Sequence, residues 1–222
     1  MLFGKKDYYS GSLKLLAEKG YCAEYIAALR EELASAAGNT AKADGRCRLA
    51  NALLFSGELK AAAEAFAETD IKSVPKESRQ AYAANYIMCL FFLDKLKDAD
   101  RIYEEYNRYA LDEANALLKR TVGIHEFISK RYDSAVTVFI KLLSEANDDR
   151  GTIMADICTV RAMLKLDMTK EAESIADGFA RYDGKGELTD LCRKLRKKIF
   201  DAASPQKKVS MVKQRNKIKK KH

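Results

Sequence analysis

Apolar residues recur at intervals of three and four along most of this chain, the spacing of one buried helix face. Glycine, proline and paired acids interrupt the pattern. Read this way, the sequence predicts helices over 8–19, 22–37, 40–56, 58–68, 77–93, 96–110, 112–129, 132–146, 151–166, 169–182 and 187–202. The breaks fall at Gly20, at Gly38 and Asn39, at Gly57, in the loop 73–78 around Pro75, at Asp148 and Asp149, and at 183–186. Only two prolines occur, Pro75 and Pro205, so little opposes long helices. The last helix carries Leu188, Leu191, Leu195 and Ile199 at i, i+3, i+7 and i+11 and is expected to cap one end of the fold.

The pattern also repeats over a longer period. Segments 57–66, 94–103, 130–139 and 167–176 each open on a turn-forming or polar residue: Gly57, Asp94, Lys130 and Asp167. Five residues on stands an alanine, Ala62, Ala99, Ala135 or Ala172, and four further on Phe66, Tyr103, Phe139 or Ala176. The alanines step by 37, 36 and 37 residues. The upstream columns agree. Leu49, Ala50 and Leu53 precede Ala62 by 13, 12 and 9 residues, and Tyr86, Ile87 and Leu90 precede Ala99 by the same intervals. Val122 and Gly123 continue two of the columns, but Glu126 stands where the third expects an apolar side chain. A one-residue shift of that helix would bring Phe127 inward instead.

These columns resemble the tetratricopeptide repeat, with Leu-Gly/Ala-x-x-Tyr on a first helix and Ala-x-x-x-Phe/Tyr on a second. The resemblance covers about residues 40–180 and, more weakly, 8–37. The family's tryptophan slot holds Arg46, Ala83, Lys119 and Asp156, its terminal proline appears only near Pro75, and the period exceeds the usual ~34 residues. Armadillo-like and other helical-hairpin repeats share the same periodicity. The resemblance implies an all-α fold, a right-handed α-α superhelix of helical hairpins with a C-terminal capping helix, over residues 1–203. It also implies a concave groove lined by first helices. Its groove slots fall on Asn51, Phe55, Met88, Phe92, Arg120, Ile124, Phe127 and Arg161. If exposed, they would form an apolar trough for a peptide or an amphipathic helix, although some must belong to the core. The clamp by which some members hold acidic chaperone tails is matched only by Asn51 and Asn85. Its other slots hold Cys47, Leu117 and Thr121, which disfavours that partner.

Charge adds a second candidate. The net charge of +8 comes from residues 204–222, with Lys207, Lys208, Lys213, Arg215, Lys217, Lys219, Lys220 and Lys221 and no acid. The remaining residues are electrically neutral. Such a tail suits RNA, a ribosome or another polyanion, and gives the alternative reading of an RNA- or ribosome-associated factor.

Catalytic chemistry has little to draw on. The body holds one histidine, His125, in no metal-binding or triad-like pattern, and neither glycine-rich phosphate-loop motif occurs. Five widely spaced cysteines (Cys22, Cys47, Cys89, Cys158, Cys192) read as buried free thiols of a reducing compartment. The first six residues have no apolar stretch after their basic pair, and no apolar run approaches the ~20 residues a membrane helix needs. The sequence therefore reads as a cytoplasmic binding scaffold that uses no cofactor or metal, rather than an enzyme.

Overall fold

The computed structural model describes residues 10–106, 116–145, 149–182 and 186–204. The basic residues from Lys207 to Lys221 lie outside them. Among the described residues there are eleven α-helices and no strand. They are α1 (Ser10–Lys19), α2 (Ala23–Ser35), α3 (Asn39–Ser56), α4 (Leu59–Ala67), α5 (Lys76–Phe92), α6 (Leu96–Tyr106), α7 (Ala116–Ile128), α8 (Tyr132–Glu145), α9 (Asp149–Lys165), α10 (Thr169–Ala176) and α11 (Glu187–Ala203). The all-α expectation holds; the predicted spans over 8–9, 107–110, 112–115 and 146 lie outside the described residues, and elsewhere the helices fall within a few residues of prediction. One span is corrected. The run 169–182 is not a single α-helix, because α10 stops at Ala176 and a 3-10 turn, Asp177–Arg181, follows. Gly178 lies in that turn, where an added Cβ would sit 2.8 Å from Oδ2 of Asp156 on α9.

The helices pack as antiparallel neighbours: α3 on α4, α5 on α6, α7 on α8 and α9 on α10. The α5 helix also lies against α3 and α7, and α8 lies against α9. One buried cluster runs through the molecule from Tyr25 to Ile199.

The repeat period is written in the backbone. Gly57, Asp94, Lys130 and Asp167 all adopt positive φ, at 96°, 62°, 63° and 58°. Each sits at the turn between the two helices of a hairpin. The next residue donates its N–H back across the turn: Glu58 to Leu53 O, Lys95 to Leu90 O and Arg131 to Glu126 O at 2.9 Å, and Met168 to Met163 O at 3.1 Å. This is the 6→1 bond of a left-handed helix cap. The carbonyls of the same residues, Glu58, Lys95, Arg131 and Met168, then accept from the N–H groups of Ala62, Ala99, Ala135 and Ala172 and open the second helices. The alanine columns therefore mark one turn geometry used four times.

Left-handed backbone costs a residue with a Cβ about 1–2 kcal/mol, less for aspartate, whose short side chain bonds locally. Lys130 has no such relief and is exposed. Lys130→Gly is expected to stabilise the fold by about 0.5–1 kcal/mol, the strain relieved less the extra freedom glycine gives the unfolded chain. A urea titration checks this, and a lower midpoint would refute the turn assignment.

The four alanines are fully buried where paired helices meet. Gly123 serves the same close approach from α7, against the ring of Phe139 on α8. Glu126 needs no register shift. It keeps the same backbone role as Leu53, Leu90 and Met163, and its carboxylate takes two bonds from Arg131, at 2.6 and 2.7 Å. An ion pair thus replaces the apolar contact that usually accompanies such a cap. Phe127 is buried in its ordinary slot. Val122, in the column of buried Leu49 and Tyr86, is exposed.

The C-terminal helix does more than cap α10. It packs on α10 and α9 and also returns to α4. Leu188, Cys192, Leu195 and Ile199 form its buried face, with Cys192 taking the place expected for Leu191. Its first turn is fastened to the α3–α4 turn, where the Leu188 N–H donates to Gly57 O at 3.2 Å. Among the described residues no helix is long and apolar enough to cross a membrane.

Candidate functional site: a cleft beneath the C-terminal helix

The residues expected to line an open groove do come together, but they largely face one another. Met88 and Ile124 are fully buried, and Phe92 and Phe127 nearly so, which corrects their assignment as an exposed trough. The physical reason is that neighbouring first helices pack directly and their polar side chains close the seam. Asn85 Nδ2 donates to Asn51 Oδ1 at 3.0 Å, and Arg120 Nη1 points at Met88 Sδ at 3.1 Å. Phe55 stacks on Tyr21 with ring centroids 5.0 Å apart. Arg161 lies 4.0 Å above the centre of the Phe91 ring, donates from Nη1 to Phe91 O and from Nη2 to Asp94 Oδ1 at 2.8 Å. Its side chain is only 10% exposed. Burial lowers the Arg161 pKa from its ordinary value, an effect that Asp94 opposes.

Three of the expected groove residues, Phe92, Phe127 and Arg161, nevertheless border a real opening. A cleft of about 710 Å³ lies between the hairpin turns and one side of α11. Its apolar surface comes from Leu59, Leu93, Leu96 and Leu164 on the hairpins and from Leu191 and Leu195 on α11. Charged groups rim it. Lys60 pairs with Glu187 at 3.8 Å, and Arg161 with Asp94. Lys165, Lys194 and Lys198 also reach the cleft and are exposed. Asp190 shares the rim as well, so cations outnumber the carboxylates Asp94, Glu187 and Asp190 above a leucine floor.

The helical register explains this division. On α11, residues 187, 191, 194 and 198 fall on one side of the buried stripe 188–192–195–199, so they meet the hairpin turns as the helix crosses them. The sequence held the amphipathic pattern of α11 but no sign of what its flank would meet. That signal exists only once α11 has folded back on a segment about 130 residues earlier.

Other chemistry is sparse. His125 stacks on Tyr103 with ring centroids 4.2 Å apart, and its Nδ1 lies 3.3 Å from Asp100 Oδ1. Asp100, Glu104 and His125 bring three donor atoms within 4.8 Å and are the described residues best placed to hold a cation. Both carboxylates stand one turn apart on α6, with Glu104 exposed, so water can screen their repulsion. Burial pushes the thiols of Cys47, Cys89, Cys158 and Cys192 up to about 12, so they remain protonated at neutral pH.

The chain matches no family model, and comparison with curated proteins and with solved structures finds no match.

Proposed function

We propose that this chain is a protein-interaction scaffold of the tetratricopeptide type, its hairpins stacked as a right-handed α-α superhelix, which binds an acidic peptide segment bearing leucine-like side chains. The observation that carries this reading is the cleft beneath α11, with its leucine floor and the ammonium groups of Lys165, Lys194 and Lys198 at its rim. Apolar side chains of a peptide would leave water for the floor, and its carboxylates would meet the lysines. The repeated left-handed turns and buried alanine columns support the repeat family. The buried, protonated thiols and the stacked histidine favour binding over catalysis, and free buried thiols suit a cytoplasmic site of action.

The test is selection from a random peptide-display library on the intact protein and on a Lys165→Glu, Lys194→Glu, Lys198→Glu variant. Selected peptides are expected to combine acidic and leucine-like residues and to bind the variant at least about tenfold more weakly, the effect of losing about 1.4 kcal/mol. Circular dichroism should be the same for both proteins, since all three lysines are exposed. Peptides without that composition, or peptides that bind both proteins equally, would refute the reading.

A further inference from the structure

The side of α11 turned away from the cleft has a separate chemistry. Arg193, Arg196, Lys197 and Phe200 stand at i, i+3, i+4 and i+7 and share one stripe of the helix. All four are exposed, and Phe200 is 72% exposed, the most open of the described large hydrophobic residues. The large apolar residues of the buried stripe, Leu188, Leu195 and Ile199, leave Phe200 in water beside three cations, an aromatic face within reach of a basic surface. Among the described residues only Arg193 of the three cations has an ion-pair partner, Asp190 at 3.1 Å, and both of those side chains are well exposed. Such surface pairs are weak and exchange readily. Beyond Ala203 the chain continues with eight more basic residues and no acid before its end.

We infer that this stripe is a contact site for single-stranded RNA, with Phe200 stacking on an unpaired base and Arg193, Arg196 and Lys197 meeting the phosphates beside it. The charge favours a polyanion, and the ring selects which kind. A duplex hides its bases and offers Phe200 nothing to stack on, whereas looped and single-stranded RNA presents splayed bases. An anionic membrane would meet the same cations. Anchoring a helix in a bilayer takes a broad apolar face, however, and that of α11 is already spent on the core through Leu188, Leu195 and Ile199. The stripe and the cleft lie on opposite flanks of α11, so this inference stands or falls independently of the peptide reading.

The test is fluorescence anisotropy with a labelled oligouridine of about 20 nucleotides, longer than the ~4–16 nucleotides that a single-strand-binding OB fold covers. The full chain is titrated at several salt concentrations. Phe200→Ala is expected to weaken binding about tenfold while leaving the salt dependence unchanged, the signature of lost stacking. Arg193→Gln, Arg196→Gln and Lys197→Gln together should lower the slope of log K against log salt by about 2, at about 0.7 per phosphate contact on a single strand. Removing residues 205–222 should weaken binding but preserve the Phe200→Ala effect. Duplex RNA should bind more weakly than the single strand and show no Phe200 dependence.

Several outcomes would overturn the inference: wild-type affinity in both stripe variants, a Phe200 effect that disappears with the tail, or equal binding of duplex and single strand. Binding to phosphatidylcholine–phosphatidylserine vesicles without binding to oligouridine would assign the stripe to a membrane instead. Each substituted side chain is exposed, so circular dichroism should show unchanged folding in the substituted variants.

Discussion

Gly123→Val should destabilise the protein by about 3 kcal/mol, at the upper end of what overpacking costs a core. A Cβ built on Gly123 would stand 2.5 Å from Cε1 and 2.9 Å from Cδ1 of Phe139. Phe139 is fully buried, so its ring has no open space to move into. The added methyl groups of valine deepen the conflict, and the better helix propensity of valine over glycine returns only a few tenths of a kcal/mol. For a chain of this size the expected loss corresponds to a fall of roughly 6–12 °C in Tm. Gly11→Ala is the matching control. Gly11 lies in α1, and an added Cβ would meet nothing within 4 Å. That change should instead stabilise by up to about 1 kcal/mol, the full difference in helix propensity. Thermal melts of the two variants check both signs. An unchanged melt for Gly123→Val would show that α7 and α8 do not meet through this glycine.

Gly186→Val should release the first turn of α11 and cost about 3 kcal/mol. Gly186 has φ 79° and ψ −161°, a region of backbone space essentially reserved for glycine. An added Cβ would also lie 2.8 Å from Gly57 O, the acceptor of the Leu188 N–H bond. Backbone strain of about 1–3 kcal/mol and a clash against main chain, which cannot swing aside as a side chain can, act together. The loss should be local as well as global. Amide hydrogen exchange should rise most in α11 and at the α3–α4 turn, while α7 and α8 stay protected. Uniform exchange throughout would mean that α11 and the hairpins unfold as one unit and that the Gly57 contact is no separate latch. The same variant should weaken peptides selected on the cleft, because α11 forms one of its walls.

Much of the fold was legible in the sequence because its information is local. Helix positions follow from a 3.6-residue period, and the hairpins follow from columns that recur every 36 or 37 residues. Gly57 alone of the four turn residues announced a left-handed cap by its type. Asp94, Lys130 and Asp167 were found only because they share its column, and their positive φ gives that column its physical meaning. Glu126 looked like an error in the pattern from sequence, because its partner Arg131 is supplied by the turn itself.

The site was less legible. Among the groove slots and their neighbours, Asn51 and Asn85 meet across α3 and α5, as do Met88 and Arg120 across α5 and α7. What the sequence could not determine was whether those side chains meet solvent. A periodic apolar stripe reads the same whether it faces water, a ligand or a neighbouring helix. Exposure is set by the distance between helices and by whatever else lies over them. Here the direct packing of α3, α5 and α7 buries Met88 and Ile124, while α11, held by the hydrogen bond between Leu188 and Gly57 and by glycine backbone at positions 57 and 186 that lets two main chains touch, shapes the cleft at the hairpin turns. Local periodicity thus determined the helices, their pairing and the turns. The return of α11 over the hairpin turns, and with it the cleft and the two faces of that helix, depends on contacts between residues far apart in the chain, for which no short-range pattern exists to be read.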